Sequence, residues 1–128
     1  MDNNTERFEL IITVDSDDID QLGHVNNVVY LNWVQDLAIA HWNEKASEED
    51  KEKLLWVVVR HEIDYKRPAF LNDEIIGYTW VGKAPGLSFE RHSDFILLSD
   101  KKILVRARTI WCPIDKKSGK PTEVSPEV

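Results

Sequence analysis

One stretch restricts this chain more than any other. From Asn27 to Glu44 there is neither glycine nor proline. Val29, Trp33 and Ala40 recur at helical spacing, and so do Val34, Leu37 and His41. Val28, Leu31, Ile39 and Trp42 carry the apolar character round the remaining sides. A helix that is apolar on most faces is expected to be buried on most faces. Asn26 or Asn27 is placed to cap its start, because a short polar side chain accepts from the free N–H groups of a first turn.

What surrounds this helix reads as sheet. Phe8, Leu10, Ile12 and Val14 alternate with Glu9 and Thr13, the pattern of a half-buried strand. Beyond the helix, Ser47 and Asp50 resemble a capping box for a short second helix. The period then changes to that of strands over Trp56–Tyr65, Glu74–Val81, Leu87–Leu98 and Lys101–Ile114. Pro68 ends the first of these, since proline cannot donate to a ladder. A turn is expected over Gly82–Gly86 and a hairpin about Ser99 and Asp100, with an irregular tail through Gly119, Pro121 and Pro126. Tight connections imply antiparallel pairing, and a sheet of about five strands with one apolar helix must wrap that helix. The expected class is therefore α+β, in a single domain over residues 1–128.

Composition narrows the function. Sixteen basic residues against twenty-three acidic ones leave a net charge of −7. A general nucleic-acid binder needs a basic face, so no nucleic-acid partner is expected. The longest wholly apolar run, Leu54 to Val59, is far too short for membrane insertion. The start of the chain shows no signal-peptide pattern, and a cytoplasmic protein is expected. Cys112 is the one cysteine, so neither an internal disulfide nor a multi-cysteine metal site is available.

The densest polar constellation runs from Asp18 through Asp20, Gly23, His24 and Asn26 to Asn27, where the apolar helix begins. Free N–H groups and the helix dipole stabilise negative charge there. Aimed at a substrate oxygen, such donors form an oxyanion hole, and a neighbouring carboxylate serves as general base or nucleophile. The plain alternative is a solvated acidic loop that caps a helix. A calcium loop is excluded. Read from Asp18, the fifth and twelfth positions are Leu22 and Val29; read from Asp15, the sixth is Asp20 and the twelfth Asn26.

The run Asp18-Ile-Asp20-Gln-Leu-Gly23-His24-Val25-Asn26-Asn27-Val28-Val29-Tyr30-Leu31 resembles the signature of hotdog-fold thioesterases of the 4-hydroxybenzoyl-CoA thioesterase branch. The likeness extends through Tyr65–Glu74 and Arg106–Pro121. It implies a hotdog fold and hydrolysis of an acyl- or aryl-CoA thioester without a cofactor. Asp20 would be the catalytic carboxylate, with His24 beside it as an orienting or polar contact. Gly23 and the backbone amides of Val25, Asn26 and Asn27 would receive the thioester carbonyl. Leu22 stands where the plant acyl carrier protein enzymes have an asparagine, which favours a mechanism centred on one carboxylate. The resemblance further implies a homodimer or homotetramer with its active site at the subunit seam. A non-catalytic acyl-thioester-binding subunit of the same fold is the rival reading. A hotdog hydratase fits less well, because Leu22-Gly23 and Val25-Asn26 replace that family's pattern.

Other residues admit two readings. Tyr30 either packs or lines the acyl pocket. His41, midway along the helix, reads more readily as a core or interface histidine than as a ligand. His61 and His92 lack the spacing of zinc ligands, and no metal is expected. Ser88 lacks a nucleophile elbow. Lys66 and Arg67 lead the candidates for the CoA phosphates, followed by Arg91, Arg106, Arg108, Lys116, Lys117 and Lys120.

Overall fold

A computed structural model describes residues 7–83 and 88–122. The first strand, β1, spans Phe8–Thr13 and leads through a short 3-10 turn, Ser16–Asp18, to the long helix α1, Asn27–Lys45. A second helix, α2, covers Glu48–Lys53. Four strands follow: β2 (Leu54–Tyr65), β3 (Glu74–Lys83), β4 (Phe89–Leu97) and β5 (Ile103–Asp115). They form one five-stranded sheet in the order β1-β3-β4-β5-β2, antiparallel at every junction. The α+β class and the sheet around one long helix are as the pattern predicts.

Local chemistry sets the boundaries. Asn26 caps α1, its Oδ1 accepting from Val28 N–H at 3.0 Å. Ser47 caps α2 in the same way, accepting from Asp50 N–H at 3.0 Å. Strand β3 runs on to Lys83, so Gly82 lies within a strand and not in the expected turn. The remainder of that turn, and the tail with Pro126, fall outside the described residues.

The helix packs on the sheet through Tyr30, Trp33, Val34, Leu37 and Ala38 against Ile75, Phe95, Val105 and Ala107. Leu37 and Phe95 are wholly buried. Gly77 lets α1 come this close: a Cβ there would stand 3.0 Å from a Leu37 methyl, tighter than an ordinary contact. One sequence expectation needs correcting. Val28 and Ile39 on α1 are 60% and 53% exposed, so the single chain buries one face of the helix and leaves part of its apolar surface open. One twisted sheet of five strands covers only one side of an α-helix about 10 Å wide.

The two sheet faces differ. The outer face is charged, with Arg106 paired to Asp94 at 3.2 Å and Arg108 to Glu90 at 2.6 Å. The helix-facing side carries the core and, near its far end, a stripe of buried polar groups: Thr79, Ser93 and Thr109. A bulge at Val59 in β2 shifts the register between Val58 and Arg60. Trp56 and His61 consequently lie on the same, helix-facing side although five residues separate them in register with Pro113 and Thr109.

Candidate active site

The loop before α1 is tied down by its own polar groups. Asp20 N–H donates to His24 C=O at 3.0 Å, and Gly23 N–H donates to Asp20 C=O at 3.1 Å. Asp20 Oδ1 accepts from Leu22 N–H at 2.9 Å and stands 4.0 Å from His24 Nδ1. This turn needs a left-handed residue, which Gly23 supplies at φ 85° without a Cβ penalty. Both side chains stay about one-third exposed, at 26% for Asp20 and 32% for His24. Asp20 therefore keeps a carboxylate oxygen, Oδ2, that no described residue engages, at a surface substrate can reach. His24 also meets the Phe70 ring edge to face at 6.4 Å.

Of the three predicted oxyanion donors, two are already engaged. Val25 N–H donates to Ala69 C=O at 2.8 Å, and Asn26 N–H to Asp18 C=O at 2.9 Å. Among the described residues, the Asn27 N–H at the head of α1 has no acceptor. Of the three amides, only that of Asn27 is thus open to an acceptor from outside, while Val25 and Asn26 pin the loop to its neighbours. The segment that receives Val25 also brings Lys66 and Arg67 into the neighbourhood. Their N–H groups both donate to Leu104 C=O, at 2.8 and 3.0 Å, and their side chains are exposed.

Tyr30 is part of the core. It is 2% exposed, and its ring meets Trp33, Tyr65 and Phe95 at centroid distances of 5.0, 5.9 and 5.6 Å. Burial pushes its hydroxyl well above the ordinary tyrosine range, with Asp73 and Tyr65 adding to the effect. Packing is the role this placement supports. Arg106 and Arg108 are held by the outer-face carboxylates, and Lys116 Nζ donates to Lys51 C=O at 2.9 Å. Among the described residues, no group of three or more His, Cys, Asp and Glu is placed to hold a metal ion, and no helix is long and apolar enough to cross a membrane.

A second region emerges only in three dimensions. A cavity of about 110 Å³ lies beside the C-terminal half of α1, lined by Ala38, Ile39, Trp42, Trp56, Val81, Phe89, Glu90, Arg91 and Trp111. Trp42 meets Trp56 at 5.5 Å and Trp56 meets Phe89 at 5.6 Å, both edge to face. Arg91 Nη1 donates to His41 Nδ1 at 3.0 Å and to Thr79 Oγ1 at 3.1 Å. Burial lowers the Arg91 guanidinium to about 10, which leaves it charged at neutral pH. Sequence reasoning grouped Arg91 with the phosphate candidates and set His41 in the core. Only the register of β2, β4 and β5 and the packing of α1 on them show that four aromatic residues and an arginine share one cavity.

The chain belongs to the thioesterase-like superfamily, whose family model matches residues 14–128. Solved structures agree on the fold. A 1,4-dihydroxy-2-naphthoyl-CoA thioesterase from Synechocystis superposes with a TM-score of 0.83 at 17% identity, covering 95% of this chain and 92% of its own. A probable thioesterase from Escherichia coli gives 0.77 at 25% identity, covering 89% and 87%. A 12:0-ACP thioesterase from Umbellularia californica gives 0.81 at 16% identity, with 94% of this chain covering 47% of the larger one. No curated protein matches the sequence. The hotdog fold implied by the sequence resemblance is thereby established, and thioester hydrolysis is the class of chemistry that goes with it.

Proposed function

We propose that this protein hydrolyses an acyl- or aryl-CoA thioester to the free acid and CoA, with Asp20 as the reacting carboxylate. The observation that carries the reading is that Asp20 Oδ2, in the loop, and the Asn27 N–H, at the start of the helix it leads into, both lack a partner among the described residues. In a general-base path, Asp20 takes a proton from water as the water oxygen adds to the carbonyl carbon. In a nucleophilic path, Asp20 itself adds and expels the thiolate to give an anhydride, which water then opens. Either path develops negative charge on the carbonyl oxygen, where the Asn27 N–H and the α1 dipole stabilise it. Thiolate leaves readily, so no strong acid is required. Lys66 and Arg67, exposed on the segment that holds the loop, are the cations available to the CoA phosphates.

The working unit on this reading is a homodimer, alone or paired into a tetramer. Strand β2 spans Leu54–Tyr65, pairs on one side only and exposes Leu55, Val57 and Val59. A second copy added along β2 by a twofold axis normal to the sheet continues the sheet and sets the two α1 helices side by side and antiparallel. The exposed Val28 and Ile39 are then covered. The Asp20 loop of one copy also comes to the Trp42 end of the other. Release of CoA thiol from a panel of acyl- and aryl-CoA esters tests the activity. Turnover of at least one ester is expected, and binding without turnover across the panel supports the non-catalytic alternative instead.

A further inference from the structure

The cavity under α1 holds polar groups that the protein leaves unanswered. Arg91 is a half-buried cation, yet among the described residues no carboxylate lies within ion-pair distance of it. Glu90, its neighbour in β4, is held by Arg108 and His92 on the outer face, and Arg108 keeps its carboxyl below the usual range. Among the described residues, Nη1 of Arg91 reaches only His41 and Thr79. Two of the lining residues do carry orphaned donors: the indole N–H groups of Trp56 and Trp111 are buried and have no acceptor among the described residues. Buried donors are normally paired, so two orphaned donors beside an arginine that lacks a carboxylate mark a place for a ligand that brings acceptors.

We propose that this cavity is the selectivity pocket for the far end of the acyl group, and that this end carries a carboxylate. The proposal rests on the thioesterase reading above and deepens it. A guanidinium fork matches a carboxylate in shape and charge, and the indole N–H groups supply further donors to its oxygens. Trp42, Phe89 and the Trp56 and Trp111 rings line the same space and suit a flat or aliphatic body behind the carboxylate. At 1.5 Å per residue, α1 carries Trp42 about 22 Å beyond Asn27, so within one chain the pocket and the Asp20 loop stand at opposite ends of the helix. The twofold arrangement along β2 removes that distance by bringing Asp20 of the partner subunit to this pocket.

Matched CoA esters test the assignment: the monothioester of a long α,ω-dicarboxylic acid against the monocarboxylic ester of equal length, and 4-carboxybenzoyl-CoA against 4-methylbenzoyl-CoA. The wild type should favour the carboxylated member of at least one pair by about tenfold or more in kcat/KM, since a site built for an acceptor rejects the analogue that lacks it. Arg91→Met should bring that ratio close to one. Trp111→Phe, which removes one donor and keeps the ring, should lower it part of the way. Should Arg91→Met fail to fold, Arg91→Lys keeps the charge without the fork and should lower the ratio as Trp111→Phe does. A wild-type ratio at or below one in both pairs overturns the proposal, as does a ratio that both foldable variants preserve. If no ester is turned over, the thioesterase reading fails, and free terephthalate and free hexadecanedioate then probe the pocket alone. Saturable quenching of tryptophan fluorescence, weakened in Trp111→Phe and Arg91→Lys, supports the carboxylate site; its absence overturns it.

Discussion

The two ends of α1 stand in contrast. At the N-terminal end, the loop's polar groups satisfy one another: Asp20, Leu22, Gly23 and His24 are joined by short local bonds, and Val25 and Asn26 are tied to Ala69 and Asp18. What remains open there is small, one carboxylate oxygen and one amide, as a site for a single bond-breaking step requires. Toward the C-terminal end, the sheet and helix enclose space, and Arg91, Trp56 and Trp111 point to a need that the chain itself does not meet. On the proposed reading, chemistry and recognition are divided between the two ends. The first is built mostly from contacts local in sequence, with Ala69 the distant exception, the second from residues of α1 and of all the strands from β2 to β5.

The largest effect that could break this contrast comes from Asp20→Asn. Asparagine keeps the Oδ1 that accepts from Leu22 N–H, so the loop should hold its shape while the base is lost. A fall in kcat/KM of at least about a hundredfold is expected, in the range of a lost general base, with an unchanged circular dichroism spectrum. His24→Ala should cost less. Wild-type turnover in folded Asp20→Asn would move the chemistry away from this end of the helix.

Next in size is the effect of separating the two ends. Lysines in place of both Val57 and Val59, exposed on β2, should block edge pairing without unfolding the chain. Light scattering should then report monomer, and activity should fall with it. Mixing Asp20→Asn and Arg91→Met subunits sharpens the point. On a carboxylated ester, mixed dimers should show more activity than either parent, because one of the two sites at their seam carries both native residues. Lack of recovery in verified mixed dimers would place both residues in one chain's site.

A smaller change is expected for Asn26→Ala. It removes the cap on Val28 N–H and should lower stability by about 1 kcal/mol, read as a shift in denaturant midpoint at constant slope. Activity should fall further than that loss explains, because the cap sets the direction of the Asn27 N–H.

The smallest effect concerns pH. His61, bonded through Nδ1 to Thr109 Oγ1 at 3.0 Å, has its pKa lowered from 6.5 by burial. The unfolded chain therefore binds the proton more readily, so this residue's contribution is full above about pH 6.5 and is lost as pH falls below it. Thermal midpoints should decline between pH 7 and 5.5, and His61→Gln should flatten part of that slope. A slope identical in the variant would assign the decline elsewhere.

Much of this molecule is legible in its one-dimensional pattern. The α1 boundaries, its Asn26 cap, the Ser47 cap and the hairpin at Ser99 and Asp100 all follow from interactions within a few residues. So does the Asp20–His24 loop, because its turn is closed by neighbours and by a glycine at positive φ. Which amide stays open was not legible: Val25 N–H is taken by Ala69, a residue brought there from beyond β2, and Asn26 N–H by the folded-back Asp18, which leaves Asn27. Nor was the cavity. Trp42, Trp56, Phe89, Arg91 and Trp111 are scattered along the chain, and only strand register and the Val59 bulge set them around one space. The all-round apolar helix itself shows where sequence stops. Its composition demands burial on most faces, but which face the sheet takes, and which is left for a second copy, is decided by how five strands twist around one side of it.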